Sequence, residues 1–530
     1  MDDIARVRKD SEAREAEKAR QKRAKRMDWL KQQLQPPTYE YEREAYTEEL
    51  GAGSSGLWVF EDPSFKAWWD PEGSDHRTLY INAVPGAGKS MLVTTILNSI
   101  LDKALRSPSG CWKPILYFYC RHNQENKRTF RGILRSMLHQ LLSQDAALCD
   151  TAYEELQAFD AVKLRSTAWL SAYLKEILPM YSKSYLLIDG LDECTDLEAR
   201  KALDWCLSLE KGGTDHAVRV LFSGQRSVEL FEKLSGYPSI ALEFSPHLRD
   251  LKRYCLSRRD EFCEKFPFSQ AEATAVVNKV ENEAAGMFLF AKIVLDNLLS
   301  INSLDQLHEE LQDGTFPTGL DKAYQRVVSR IYDEVKPHVK ADVGKILEWV
   351  ASAKRLLYWR EIQAVFCIDL DKQEAFYKER RLLASCKELC GSLIDLRQPP
   401  DAPESEMLVQ LVHESARGFL SRRKLIQPEL QNAHITLYCL RYLSTDPFKP
   451  NLSDAELRIN VESGYYALHD YAVAMWYEHL DRLVSDLGPA EAVRNAQKRE
   501  RSDISCLRIA CEKALASFFG YTEGYQDSIL

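Results

Sequence analysis

The chain has 530 residues, 45% hydrophobic and 28% charged, with a formal net charge of −9. That balance fits a folded soluble protein of about three or four domains, and its acidic surplus gives no general affinity for nucleic acid. The thirteen cysteines form no CxxC pair, which argues against a disulfide scaffold or a zinc site and for a reducing compartment.

The first 31 residues carry 11 Lys and Arg and 7 Asp and Glu with no apolar core. They read as a charged helical arm over 1–50, not a signal peptide. Inside it, "KARQKRAKR" (18–26) has six basic residues in nine. It reads as a solvated helix face, with a nuclear-import or polyanion-binding patch as the alternative. "LGAGSSGLW" (50–58) is a flexible joint.

From 51 to 245, apolar runs alternate with helical stretches: "TLYINA" (78–83), "PILYFYC" (114–120), "SYLLIDG" (184–190), "VRVLFSG" (218–224) and "SIALEF" (239–244). Short apolar runs separated by helices predict an α/β domain, a parallel five-stranded sheet between helices. An all-helical domain is expected over 246–335. Over 336–430 come three helical stretches, "ILEWVASA", "YWREIQAVFCI" and "LLASCKELCGSLIDL". The polar turn "RQPPDAPESE" and the strand-like "MLVQLVH" then follow. Helices followed by a hairpin predict a winged-helix domain. Residues 431–530 read as further helices without an internal repeat. Cys386 and Cys390 share a helix face and read as buried thiols. The longest apolar stretch, "GMFLFAKIVL", is broken by Lys292 and falls short of the ~20 residues of a membrane span. A soluble cytoplasmic protein with no membrane partner is expected.

"AVPGAGKS" (83–90) follows the first strand run and precedes "MLVTTILNSIL", apolar in pairs at 92/93, 96/97 and 100/101. Strand, small-residue loop and helix in that order make a phosphate cradle of backbone N–H groups at a positive helix end. Pro85, Gly86, Ala87 and Gly88 supply the loop, Lys89 the cation for the terminal phosphates and Ser90 a hydroxyl for Mg²⁺. Ala83 stands where the eight-residue pattern asks for glycine, a change tolerated if φ there is negative. One hundred residues after Lys89, "YLLIDGLDE" (185–193) sets Asp189 at a strand end. A carboxylate there serves Mg²⁺, and Asp192 and Glu193 are placed to orient an attacking water. In "VLFSGQR", Arg226 follows a strand tip and could sense a γ-phosphate.

"PGAGKS", "LLIDGLDE" and "LFSGQR", in this order, resemble the NACHT-domain NTPases, STAND-class signal-transduction proteins that include the NOD-like receptors. "GLWVFEDPSFKAWW", "AAGMFLFAKIVLDNL", "FPTGLDKAYQRVV" and "LVHESARGFL" extend the likeness to the fungal set of that family, over roughly residues 55 to 480. The resemblance implies a switch: ADP or GDP held in a closed resting state, exchange for ATP or GTP with Mg²⁺, opening to a homo-oligomer, and slow hydrolysis to reset. It implies a protein ligand or effector and a role in nonself recognition or cell-death signalling. It also places His413 of "LVHES" on the β-phosphate; a packed core histidine is the other reading. Two alternative functions stay open, a winged-helix DNA-associated regulator and a nucleotide-binding scaffold without turnover. Nucleic acid is not the expected partner.

Overall fold

A computed structural model describes residues 2–487 and 509–518 except 52–54, 70–76, 107–112, 123, 159–162, 165, 210–216, 226–232, 235, 243–244, 334, 398–401, 450 and 517. The chain forms two compact units, Met1–Ser257 with Ala285–Phe288, and Arg258–Ala284 with Leu289–Leu530.

The first unit is built on strands β1 (Thr78–Asn82), β2 (Ile115–Tyr119), β3 (Lys183–Asp189), β4 (Ala217–Gly224) and β5 (Ser239–Ala241), in the order β2-β3-β4-β1-β5. Every pairing is parallel. Helices flank the sheet, so β2 is buried at all five positions, and Leu116, Leu186, Leu187, Val220, Leu221 and Phe222 are sealed from solvent. Burying each such side chain contributes ~1.5–3 kcal/mol. This is the parallel sheet that the apolar runs predict. Because β4 lies between β1 and β3, the carboxyl ends of these three strands form one rim, where ligands of open α/β sheets bind.

The N-terminal segment is part of this unit. Helix α1 (Asp2–Leu34) exposes Lys18, Lys22 and Lys25, as a solvated face should, but buries Leu30 and Leu34 in the core. Arg26 pairs with Asp150 and Glu154, and Arg23 donates to the carbonyl of Ser143 at 3.1 Å. Helix α2 (Glu40–Leu50) follows, with Tyr39 hydrogen-bonded to His139 at 3.0 Å. The charge density of the arm masks its apolar seam. Leu34→Ala should therefore lower stability by ~2–5 kcal/mol, as for a core leucine. Chemical denaturation checks this; a change below about 0.5 kcal/mol, typical of a surface site, would contradict it.

The second unit opens with helices and contains a small sheet. Helices at Pro337–Ser352 and Trp359–Cys367 accompany a sheet of Leu357–Tyr358, Leu408–Leu411 and Ile394–Arg397, with Leu408–Leu411 central and antiparallel to both neighbours. The third helical stretch is shorter than the apolar spacing predicts. It is α-helical only over Cys386–Cys390, where Ser385 and Glu388 form a capping box and Gly391, at φ +56°, ends the helix and starts one 3₁₀ turn, Gly391–Leu393. The chain then enters the hairpin at Ile394, so "IDL" is strand, not helix. Cys386 and Cys390 are buried thiols in mutual contact. Further helices include Glu414–Arg422, Pro428–Leu443 and His469–Leu487, the last two tied by Asn432 donating to the carbonyl of His479 at 2.8 Å. Among the described residues no helix is long and apolar enough to cross a membrane.

Candidate nucleotide site

The loop from Ala83 to Gly88 joins β1 to helix α3, which we define as Lys89–Arg106. Gly86 at φ +74° and Gly88 at φ +89° hold left-handed backbone, which costs other residues roughly 1–2 kcal/mol each. Ala83 is not among the residues with positive φ and is buried, so alanine is at home there. The helix buries Leu92, Val93, Ile96, Leu97 and Ile100, the apolar face read from the sequence.

Lys89 folds back over the loop. Its Nζ donates to the carbonyls of Ala83 at 3.0 Å and Val84 at 3.2 Å. Burial lowers the pKa of this ammonium, opposed by the charges of Asp192, Asp189 and Glu193. Four site residues from two separate motifs thus share one electrostatic environment.

Ser90 Oγ donates to Asp189 Oδ2 at 2.6 Å. The other oxygen of Asp189 accepts from Ser223 on β4, whose Oγ also accepts from the N–H of Gly190 at 2.9 Å. Asp189 is thus fixed at the buried end of β3 with one oxygen facing the loop hydroxyl. A hydroxyl and a carboxylate are hard oxygen donors of the kind Mg²⁺ takes.

After Asp189, Gly190 at φ +70° turns the chain into one 3₁₀ turn, Leu191–Glu193. Asp192 Oδ1 is buried without a hydrogen-bond partner in the protein. Burial raises the Asp192 pKa, against Lys89 and the backbone N–H groups of Asp192 and Gln225. A β-carbon at Gly224 would lie 3.1 Å from this orphaned oxygen, so the glycine leaves it room. An unsatisfied buried acceptor beside the loop lysine fits a site completed by a water or a ligand group. Glu193 accepts from Arg121 Nη1 at 3.3 Å and from the N–H of His122 at 3.1 Å. Burial pushes its carboxyl up to about 7, against the pull of Arg121 and the His122 N–H.

Arg226 lies outside the described residues. His413 belongs to the second unit, where it caps helix Glu414–Arg422. Its Nδ1 accepts from the N–H of Ser415 at 3.1 Å and lies 2.9 Å from Ser415 Oγ, which meets Tyr324 OH at 2.9 Å. Three contributors were not read from the sequence. Ser223 lies inside "VLFSGQR", where the arginine is the plainer phosphate ligand. Arg121 follows an unremarkable strand. Phe288 packs by Gly88, where an added β-carbon would lie 3.8 Å from Cδ2, with His247 and Tyr254 against its ring.

Residues 54–225 match the family model of the nephrocystin 3 N-terminal domain, and residues 333–429 that of the winged helix domain of GPI inositol-deacylase. The vegetative incompatibility protein HET-E-1 of Podospora anserina is 24% identical over 379 residues, 69% of this chain and 26% of that protein. The chain carries a P-loop NTPase domain of the NACHT type. A winged-helix domain and a mostly helical remainder accompany this NACHT domain. The chain spans about a quarter of the length of HET-E-1. Among solved structures, Cdc6p from Pyrobaculum aerophilum shares 11% identity at a TM-score of 0.28, covering 74% of this chain and 96% of that one. The Walker-type ATPase PABY2304 of Pyrococcus abyssi shares 12% at 0.31, covering 71% and 97%. A P-loop NTPase domain implies nucleotide binding and, usually, Mg²⁺ binding.

Proposed function

We propose that this chain is a nucleotide-dependent signalling switch. It binds ATP or GTP with Mg²⁺, hydrolyses it slowly, and moves between a closed diphosphate state and an open homo-oligomer. The observation that carries the reading is the 2.6 Å contact of Ser90 Oγ with Asp189 Oδ2. It joins the loop hydroxyl to the strand-end carboxylate, the two groups that would hold the metal. Bound Mg²⁺ would supply charge neutralisation on the phosphates. Lys89 would leave the Ala83 and Val84 carbonyls for the terminal phosphates. Asp192, with its orphaned oxygen, and Glu193 would orient water. The name of HET-E-1, a vegetative incompatibility protein, supports a role in nonself recognition, and a protein effector downstream belongs to the same proposal. The domain division proposed for the chain is arm 1–50, NTPase 51–245, helical 246–335, winged helix 336–430 and helical 431–530. Cytoplasmic location, with nuclear import through 18–26 as the alternative, belongs to the same reading.

Single-turnover hydrolysis of radiolabelled ATP and GTP, with and without Mg²⁺, tests the proposal. Slow metal-dependent release of phosphate from one of them is expected; tight binding with no release over many hours would leave the scaffold reading in its place. The DNA-linked reading draws no support from the winged helix. The basic end "YKERR" makes only the short helix Tyr377–Arg380, with Arg380 paired to Asp369 at 3.1 Å.

His413 supplies a test of the switch. If it reaches the β-phosphate in the closed state, it stabilises that state alone. One charge-assisted hydrogen bond is worth ~1.5–3 kcal/mol, so its loss would shift the closed-to-open ratio roughly ten- to a hundred-fold. His413→Ala should speed ADP release and raise the oligomeric fraction in light scattering. As a helix cap alone, His413 would when removed lower stability equally with and without nucleotide, leaving the ADP off-rate unchanged.

A further inference from the structure

Glu193 does not stand alone at the strand ends. Both its oxygens are engaged from the segment after β2, by Arg121 Nη1 and the His122 N–H. Arg121 is in turn gripped from the N-terminal segment. Its Nη2 donates to Tyr46 OH, its guanidinium lies 5.5 Å from the Tyr46 ring, and its Nε sits 3.8 Å from Glu42 Oε1. Glu42 is 3% exposed and pairs with Lys127, 1% exposed, at 2.6 Å. Lys127 closes the circuit, because its carbonyl accepts from the N–H of Arg121 at 3.3 Å. Glu42 and Tyr46 are one turn apart on α2, so one helix face meets the arginine twice.

We propose that Arg121 is the positioning residue of the hydrolytic carboxylate, and that helix α2 sets it through Tyr46 and Glu42, so that docking of α2 licenses hydrolysis. The inference rests on the reading of Glu193 as the group that orients water, and it adds an input to that site. A half-buried guanidinium with a fixed fork holds a carboxylate both in place and in charge. Each Glu193 oxygen has a second lone pair, so the clamp leaves an acceptor for water. A partner that draws α2 away would loosen Arg121 and stall the triphosphate state without touching the phosphate loop. The N-terminal segment is thereby a control element of the site.

The charged and titratable groups around Glu193 are Arg121, Asp192, Asp189, Lys89 and the thiols Cys120 and Cys194, with Glu42 and Tyr46 behind Arg121. Burial is the larger influence on Glu193 and raises its carboxyl to about 7, while Arg121 pulls it down. Ionised Glu193 is the water-orienting form, so turnover falls as pH drops through that region. Loss of Arg121 must move this acid limb to higher pH.

The test is single-turnover hydrolysis of the full chain from pH 6 to 9.5 at saturating nucleotide and Mg²⁺. Wild type is compared with Arg121→Gln, Arg121→Lys, Tyr46→Phe and Glu193→Gln. Nucleotide affinity and melting temperature are measured alongside. Arg121→Gln should move the acid limb up by about one pH unit or more, making hydrolysis at pH 7 about fivefold slower or more and restoring it at alkaline pH. Arg121→Lys should return most of the limb, since the charge is kept. Tyr46→Phe should slow hydrolysis at pH 7 by about threefold or more, with triphosphate affinity within about twofold of wild type. If Arg121→Gln fails to fold, the lysine and phenylalanine variants carry the decision. An unmoved acid limb in the Arg121 variants, or wild-type hydrolysis in Tyr46→Phe, with Glu193→Gln inactive, overturns the inference alone. Full hydrolysis by Glu193→Gln overturns the reading of Glu193 beneath it.

Discussion

Lys89→Ala is expected to abolish nucleotide retention. Lys89 is the cation of the loop, held over the Ala83 and Val84 carbonyls and ringed by Asp189, Asp192 and Glu193. Without it, the phosphates would face those three carboxylates with only Mg²⁺ and backbone N–H groups in compensation. The variant should also lose ligand-linked stability, which at a nucleotide concentration a hundred times Kd is ~2.7 kcal/mol. Melting curves with and without added nucleotide separate this from any change in the empty protein. Wild type should gain stability on addition and Lys89→Ala should not. Unchanged nucleotide content in the purified variant would refute the phosphate-loop assignment.

The second large effect concerns turnover. Replacing Asp192 and Glu193 together by Asn and Gln should slow hydrolysis by ~10²–10⁴-fold, the range of general acid–base and water-positioning groups. Affinity for the triphosphate should change only a few-fold, because neither residue belongs to the loop. Asp189→Asn should behave differently. Its oxygens hold Ser90 and Ser223, so the amide should weaken Mg²⁺-dependent binding itself. Titrations of nucleotide at varied Mg²⁺, set beside phosphate-release rates, distinguish the two patterns. Wild-type hydrolysis in the double variant would displace both residues from the chemistry.

Much of this was legible because the two signals are local. A glycine-rich loop between a strand and an amphipathic helix needs only adjacent residues, and so does a run of four apolar residues ending at Asp189. Both land where the spacing places them, and Gly86 and Gly88 hold the positive φ angles the loop requires. The strands were equally plain, since a sheet covered on both faces writes continuous apolar runs. What was hidden depends on contacts far apart in sequence. Ser223 supports Asp189 only because β4 lies beside β3. Arg121 matters only because α2 packs over the end of β2. The arm looked solvated because Leu30 and Leu34 are scattered among charges. The third helix of the winged-helix domain is shorter than its pattern because Leu393 and Ile394 suit either a helix face or a strand, and only the backbone at Gly391 decides.

The most direct test of the central claim is the nucleotide carried by the purified protein, identified by denaturing extraction and chromatography, with molecular mass measured before and after exchange to a non-hydrolysable triphosphate with Mg²⁺. The account predicts about one diphosphate per chain in a monomer and a larger assembly after exchange. Protein free of nucleotide that binds neither ATP nor GTP at millimolar concentration would contradict it.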